Sequence, residues 1–509
     1  MSIGRTIRSI GWASLTGIGL AVLALPSAAA EHRMSPFVTV GPQAQPAQAG
    51  GAAPQQALFT CQLGFFEPDE ACYDPLQMRH AYQIDSVINA GYKGAGRTIV
   101  IVDAFQSPTI VNDVDTFSAN YGLPLTSSGY FTQVSPFGTV TFNALDPNMQ
   151  GWSVEISLDV EYAHGIAPDA NIVLVLAKTN DDQDIFNAVK YAVDNRLGDV
   201  ISMSFGENES CTDPDLVSQY HALFAAATKQ GITLIASAGD QGAAQQTCDG
   251  KSWVKAASHP ASDPLVTAVG GSELHAAKYC LTALGCDPNA NPAPGTYQGE
   301  ITWNEPPGTV DPDNSLSTGG GFSVLFDAPA YQNGTIHGGK QRALPDVAYS
   351  AAVLHGVLVR WSVLSGLICN GASATGCFFL VGGTSAGSPQ WSAITVIANQ
   401  KAGHALGLLN PAIYRISQDN ESYSDSFHDI ISGNNSVIEL DSSSNPVSVT
   451  GFSAGAGWDS TTGVGSPIDT TLVDYLIANV SAGDGQSVIS TTKPKPHPKP
   501  IVPGHVDPH

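Results

Sequence analysis

Between residues 98 and 269 the chain repeats one unit: a short continuous run of aliphatic and β-branched residues, then a stretch with helical spacing. Strands are expected at 98–103, 171–176, 199–204, 232–236 and 265–269, with helices at about 153–164, 183–195 and 214–230. Runs that are apolar throughout, rather than alternating, suit strands buried on both faces. Strands of that kind separated by helices predict an α/β chain with a mostly parallel central sheet. Ligand chemistry then belongs beyond the carboxyl ends of the strands.

Charge narrows the partners. There are 45 acidic and 21 basic residues, a formal net charge of −24, and charged residues make up only 13% of the chain. Such a surface has few cations with which to neutralise phosphates, so nucleic acid is excluded as a partner. Scarce Lys and Arg also limit self-repulsion when carboxylates are neutralised at low pH.

The first thirty residues carry Arg5 and Arg8, a mostly apolar stretch from Ile10 to Leu25 and a small-residue end at Ala28-Ala-Ala30. That order reads as a signal peptide cleaved near Ala30, and the apolar run is too short for a membrane span. Export is therefore expected, with no membrane span in the mature chain. Eight cysteines agree with an oxidising compartment, and neighbour pairing is the simplest of their many connectivities. Residues 31–75 begin rich in Ala, Gln and Pro, and 483–509 hold a Pro/Lys/His-rich run; both ends read as linker-like, leaving 76–482 as the folded domain.

Three local patterns carry chemistry. Val381-Gly-Gly-Thr-Ser385-Ala-Gly-Ser-Pro389 takes a small apolar strand through a glycine turn into a helix, which leaves the Ser385 amide unpaired. Ser385 there is a nucleophile candidate or a plain helix cap. Glu155-Ile-Ser-Leu-Asp159 puts two carboxyls four apart on one helix face, either sharing a proton in a buried site or lying on a solvated acidic face with Glu161. Gly239-Asp240 follows an apolar strand and puts Asp240 on the catalytic edge or in an ordinary turn.

Taken in order along 76–482, these motifs resemble the sedolisin family, the serine-carboxyl peptidases with a subtilisin-like fold. The resemblance also takes in Met78-Arg-His-Ala-Tyr82, Val266-Thr-Ala-Val-Gly-Gly271, Gly319-Gly-Gly-Phe-Ser323 and Leu344-Pro-Asp-Val-Ala348. It implies a three-layer α/β fold and a secreted, acid-acting endopeptidase. Ser385 would be the nucleophile, Glu155 the general base, Asp159 its proton-sharing partner and Asp240 the acid of the oxyanion hole. A carboxylate base remains usable at pH values where histidine is already protonated, and a neutral carboxylic acid can donate to an oxyanion. His164-Gly165 does not match a catalytic histidine element, and Asp103, at the end of the first strand, is assigned a supporting role.

The resemblance further implies one structural Ca²⁺, held by the carboxylates of Asp429 and Asp459 and the carbonyls of Ile430, Gly455 and Gly457. All-oxygen ligation suits that ion. Substrates would be polypeptides and the chain a monomer. Family members usually carry a long prodomain; residues 31–75 are too few for one. The family's nucleophile motif often has Ser-Gly where Gly382 and Gly383 stand, a small change not expected to affect the chemistry. The rival reading is an inactive binding or structural protein on a peptidase scaffold, which would be signalled by loss of one of the four site residues. All four are present.

Overall fold

The computed structural model describes residues 33–47, 57–63, 70–282, 285–336, 339–364, 369 and 377–496. The expected signal peptide and the last Pro/Lys/His residues lie outside them. Each expected central strand forms. Their spatial order is Tyr297–Thr302, Thr267–Ala276, Thr233–Ser237, Val200–Met203, Thr98–Ala104, Asn171–Ala177 and Phe131–Val134, with Val347–Ser350 also paired to Thr267–Ala276. Every pairing is parallel except that of Tyr297–Thr302.

Alternation along the Thr98–Ala104 strand explains the two helical layers. Ile99 and Ile101 enter one core with Val154, Leu158 and Val396. Val100 and Val102 enter the other with Ile185, Val189 and Phe224. Helices Pro147–Ile166 and Gly387–Ala402 thus lie in one layer, and Asp182–Asp194 and Pro214–Lys229 in the other.

Arg342 is fully buried and forks onto Asp346, Nη1 to Oδ1 at 2.6 Å and Nη2 to Oδ2 at 2.5 Å. Asp346 also accepts from the Ala268 amide and the Tyr414 hydroxyl, so one carboxylate ties two neighbouring strands to a helix. The four disulfides join cysteine neighbours as expected: Cys61–Cys72, Cys211–Cys248, Cys280–Cys286 and Cys369–Cys377.

Both ends depart from the linker-like reading. Ser35–Pro36 pairs antiparallel with Phe205–Asn208, and Thr39–Gln43 pairs antiparallel with Phe378–Gly382. At the other end Asp484–Thr491 is a helix with Val488 buried in the core. Composition misled because strand pairing uses main-chain groups, which Pro- and Gln-rich segments still supply. Among the described residues no helix is long and apolar enough to cross a membrane.

Arg342→Met should cost about 3–5 kcal/mol in urea unfolding, since it strands the Asp346 charge in the core. Adding Asp346→Asn should recover part of the loss. A single-variant cost below about 1 kcal/mol would refute the role given to this pair.

Candidate active site

Four elements from distant parts of the sequence converge at the carboxyl edge of the sheet. Helix Pro147–Ile166 starts on Asp146, whose side chain accepts from the Asn148 and Met149 amides, with Pro147 in the first turn. From Trp152 to Ile166 every residue is buried. Glu155, Asp159 and Glu161 are all fully inaccessible, so the solvated acidic face is excluded. Glu161 points elsewhere and accepts the Arg360 amide at 2.9 Å.

Ser385 sits in a 3-10 turn, Thr384–Ala386, that leads from the Phe378–Gly382 strand into helix Gly387–Ala402. Gly383 makes the turn possible with φ +120°; a Cβ there would lie 2.1 Å from the Phe37 carbonyl oxygen and 2.5 Å from Asp240 Oδ2. Gly382 is equally constrained, because a Cβ would come within 2.5 Å of the Ala351 carbonyl. The Gly-Gly pair therefore fits the backbone of residues 351–353 behind it, where a serine side chain at 382 would collide.

Ser385 Oγ donates to Glu155 Oε2 at 2.9 Å and also lies 3.1 Å from the Ser204 carbonyl oxygen. Asp159 Oδ1 accepts from Ser204 Oγ at 2.9 Å. Glu155 Oε1 and Asp159 Oδ2 are buried without a hydrogen-bond partner. They belong to two carboxyls on one helix face, the arrangement in which a shared proton satisfies both. Burial pushes Glu155 well above the usual carboxyl range, and the charges of Asp159 and Asp103 add to the shift. Asp159 is raised by burial as well. Asp103, fully buried at the end of the Thr98–Ala104 strand, is raised by burial and then by Asp159.

Asp240 follows Gly239, whose φ is +117°, just past the Thr233–Ser237 strand. Thr384 donates to its Oδ1 through both the amide and Oγ1, each at 2.8 Å. Burial pushes Asp240 up to about 8. Its Oδ2 has no partner and lies on the side of Gly383 where the Phe37 carbonyl stands. The Ser385 amide donates to that same carbonyl at 3.2 Å.

All four expected residues are thus brought together, with Asp103 behind them. His164 is turned away, stacked on Tyr130 with Nε2 2.8 Å from the Pro124 carbonyl, and burial lowers it to about 4. Sequence reading missed Ser204, Thr384 and Phe37. The first two carried a signal, polar residues at the mouth of an apolar strand and beside the nucleophile; Phe37 carried none.

Asp429 and Asp459 are held by the same loop. Gly457 donates its amide to Asp429 Oδ2 at 3.0 Å, and Gly455 donates to Asp459 Oδ2 at 3.1 Å, so one glycine loop links both carboxylates. Separately, Glu273, His275 and His355 offer ligand atoms within 4.8 Å of one another, all half-buried.

Residues 138–416 match the subtilase family, Peptidase_S8. Kumamolisin from Bacillus sp. (strain MN-32) is 30% identical over 421 residues, covering 80% of this chain and 64% of its own length. Sedolisin from Pseudomonas sp. (strain 101) is 26% identical over 415 residues, covering 80% of this chain and 62% of its own length. The chain therefore spans less than two thirds of either relative. The solved structure of Pseudomonas sedolisin, a serine-carboxyl proteinase complexed with two molecules of pseudo-iodotyrostatin, matches with a TM-score of 0.64 at 26% identity. That match covers 81% of this chain and 100% of the other. Together with the parallel sheet and the Ser385–Glu155 pairing at its edge, these likenesses establish that the chain belongs to the sedolisin family, within the subtilases.

Proposed function

We propose that this chain is a secreted, acid-acting serine-carboxyl endopeptidase. The observation that carries the reading is the 2.9 Å hydrogen bond from Ser385 Oγ to Glu155 Oε2 inside a buried carboxyl cluster. Ser385 Oγ attacks the substrate carbonyl carbon while Glu155 takes its proton, Asp159 orienting Glu155 and sharing its charge. The developing oxyanion receives two hydrogen bonds, one from the Ser385 amide and one from protonated Asp240. Glu155 then returns the proton to the leaving amine, and water hydrolyses the acyl-enzyme by the same steps. Intactness of all four side chains favours this reading over an inactive binding protein. Substrates would be polypeptides, and the protein is expected to act as a monomer. Secretion is supported by the leader-like N-terminus and the four disulfides.

Asp429 and Asp459 with the Ile430, Gly455 and Gly457 carbonyls are proposed to hold one structural Ca²⁺. The donor set is all oxygen, and both carboxylates already converge on one loop, which fits a hard cation. Its binding would cross-link that loop to the strand Phe427–His428.

Ser385→Ala and Glu155→Gln should each lower kcat/KM on a denatured protein at acid pH by ~10³-fold or more. A loss below about tenfold in either would remove that residue from the mechanism.

Stability should follow the same carboxyls. Groups whose folded pKa is raised keep protons that the unfolded chain releases, so their contribution is full below about pH 4 and is lost as pH rises toward the folded values. For Asp240 that upper limit is about 8. The melting temperature should therefore fall between these limits, with a shallower slope in Asp240→Asn. A Tm that is flat or rises over this range contradicts the assignment.

Excess chelator should lower Tm by several degrees in the wild type and by little in Asp459→Asn, because only the former loses a bound ion. Equal shifts in both proteins would place the ion elsewhere.

A further inference from the structure

Away from the carboxyl cluster and from the Asp429/Asp459 loop, two imidazoles and a carboxylate converge between two sheets. Along Thr267–Ala276 successive side chains point to opposite faces. Leu274 and Ala276 enter the core, so Glu273 and His275 share the other face, with side chains 20% and 44% exposed. His275 Nε2 lies 3.2 Å from Glu273 Oε1. The antiparallel strand Tyr297–Thr302 sets Gly299 opposite His275. Opposed residues of such a pair share a face, and a Cβ at Gly299 would meet nothing within 4 Å, so the space beside the His275 ring stays open.

His355 comes to the same place from the strand His355–Arg360. Its backbone is set by Glu305, which accepts the Val353 amide at 3.1 Å and the Leu354 amide at 2.8 Å. Its ring is set by the Leu274 carbonyl oxygen, 3.1 Å from Nδ1, and that oxygen also accepts the Tyr73 hydroxyl at 2.9 Å. A carbonyl oxygen only accepts, so Nδ1 carries the proton of the neutral ring and Nε2 keeps a lone pair. Metal-binding histidines are commonly oriented in this way, through the ring nitrogen that does not touch the ion. His355 Nε2 stands 3.9 Å from Glu273 Oε1, too far for a hydrogen bond. A plain ion pair therefore accounts for His275 on Glu273 but not for the third group. A tetrahedral ion with ligands at about 2.0–2.1 Å holds them about 3.4 Å apart. The two separations from Glu273 bracket that spacing, and all three ligand atoms lie within 4.8 Å of one another.

We propose that Glu273 Oε1, His275 Nε2 and His355 Nε2 bind one Zn²⁺, with water in the fourth position on the open side of His275. Two imidazole nitrogens and one carboxylate suit zinc, whereas Ca²⁺ and Mg²⁺ take oxygen ligands. Thr267–Ala276 belongs to the central sheet and His355–Arg360 to the sheet that also contains Phe378–Gly382, the strand leading into the Ser385 turn. The ion would staple these two sheets together. Its ligands include none of the residues assigned to catalysis or to Ca²⁺, so the inference does not depend on the peptidase reading.

The test is calorimetric titration of the full chain with zinc chloride at pH 7, where free imidazoles are neutral, in excess Ca²⁺ to occupy oxygen-only sites. Titration with Co²⁺, followed by visible absorption, reports the coordination. Wild type should bind one Zn²⁺ that excess Ca²⁺ does not displace, show the intense visible bands of four-coordinate cobalt, and gain about 3 °C or more in Tm with saturating Zn²⁺. His275→Ala removes a half-exposed side chain and leaves the fold intact. It and Glu273→Gln should each weaken Zn²⁺ binding by at least about tenfold and lose the cobalt bands and the Tm gain. Absence of Zn²⁺ binding, displacement by Ca²⁺, or a six-coordinate cobalt spectrum overturns the inference. So does binding of undiminished affinity in both variants, which would assign the ion to other histidines.

Discussion

The structure turns on a hydrogen bond between two helices whose partners lie 230 residues apart in sequence, Ser385 Oγ to Glu155 Oε2. Neither group tolerates burial alone; each needs a polar partner. Their contact requires the carboxylate helix to be submerged along its length, which the cores on both faces of the sheet accomplish. It also requires the chain to enter the nucleophile helix through a turn tight enough for only glycine at 383. Around that bond stand Asp159, one turn along the helix of Glu155, and Asp103 and Asp240, each at the end of a different strand. Among the described residues no Lys or Arg ion-pairs with any of the four carboxyls, so protons must provide the neutralisation that cations provide elsewhere.

The sheet and its helices were legible because continuous apolar runs and helical spacing are local properties, and five of them in succession leave few topologies. Ser385, Glu155, Asp159 and Asp240 were legible for another reason. Each sits where an element ends or on one face of a helix, so its position in the fold follows from its position in the element. Burial was not legible. The Glu155–Asp159 face and Glu161 look like solvated surface in isolation, and only packing against helices Gly387–Ala402 and Ile110–Tyr121 and against the Thr98–Ala104 and His355–Arg360 strands removes them from water. The N-terminal strands were hidden more deeply still. Thr39–Gln43 is Thr-Val-Gly-Pro-Gln, with no strand pattern of its own; the neighbouring strand supplies its structure.

Desolvation moves acids and bases in opposite directions, and one helix displays both. Burial raises Glu155 and Asp159 and lowers His164 to about 4, within three turns of the same helix. A buried carboxyl can therefore titrate above a buried histidine, so the identity of the base alone does not commit such a site to acid. Asp240 sets an upper pH limit instead, at about 8. It can donate to an oxyanion only while protonated, and it stands within the field of Glu155, whose own ionisation the Asp240 charge opposes. Raising the pH strips the donor, charges the base cluster and sets like charges against one another in a cluster that, among the described residues, pairs with no Lys or Arg. The groups that would perform the chemistry are thus the groups that make the fold prefer protons, and a chain poor in Lys and Arg has little positive charge of its own to oppose folding in acid.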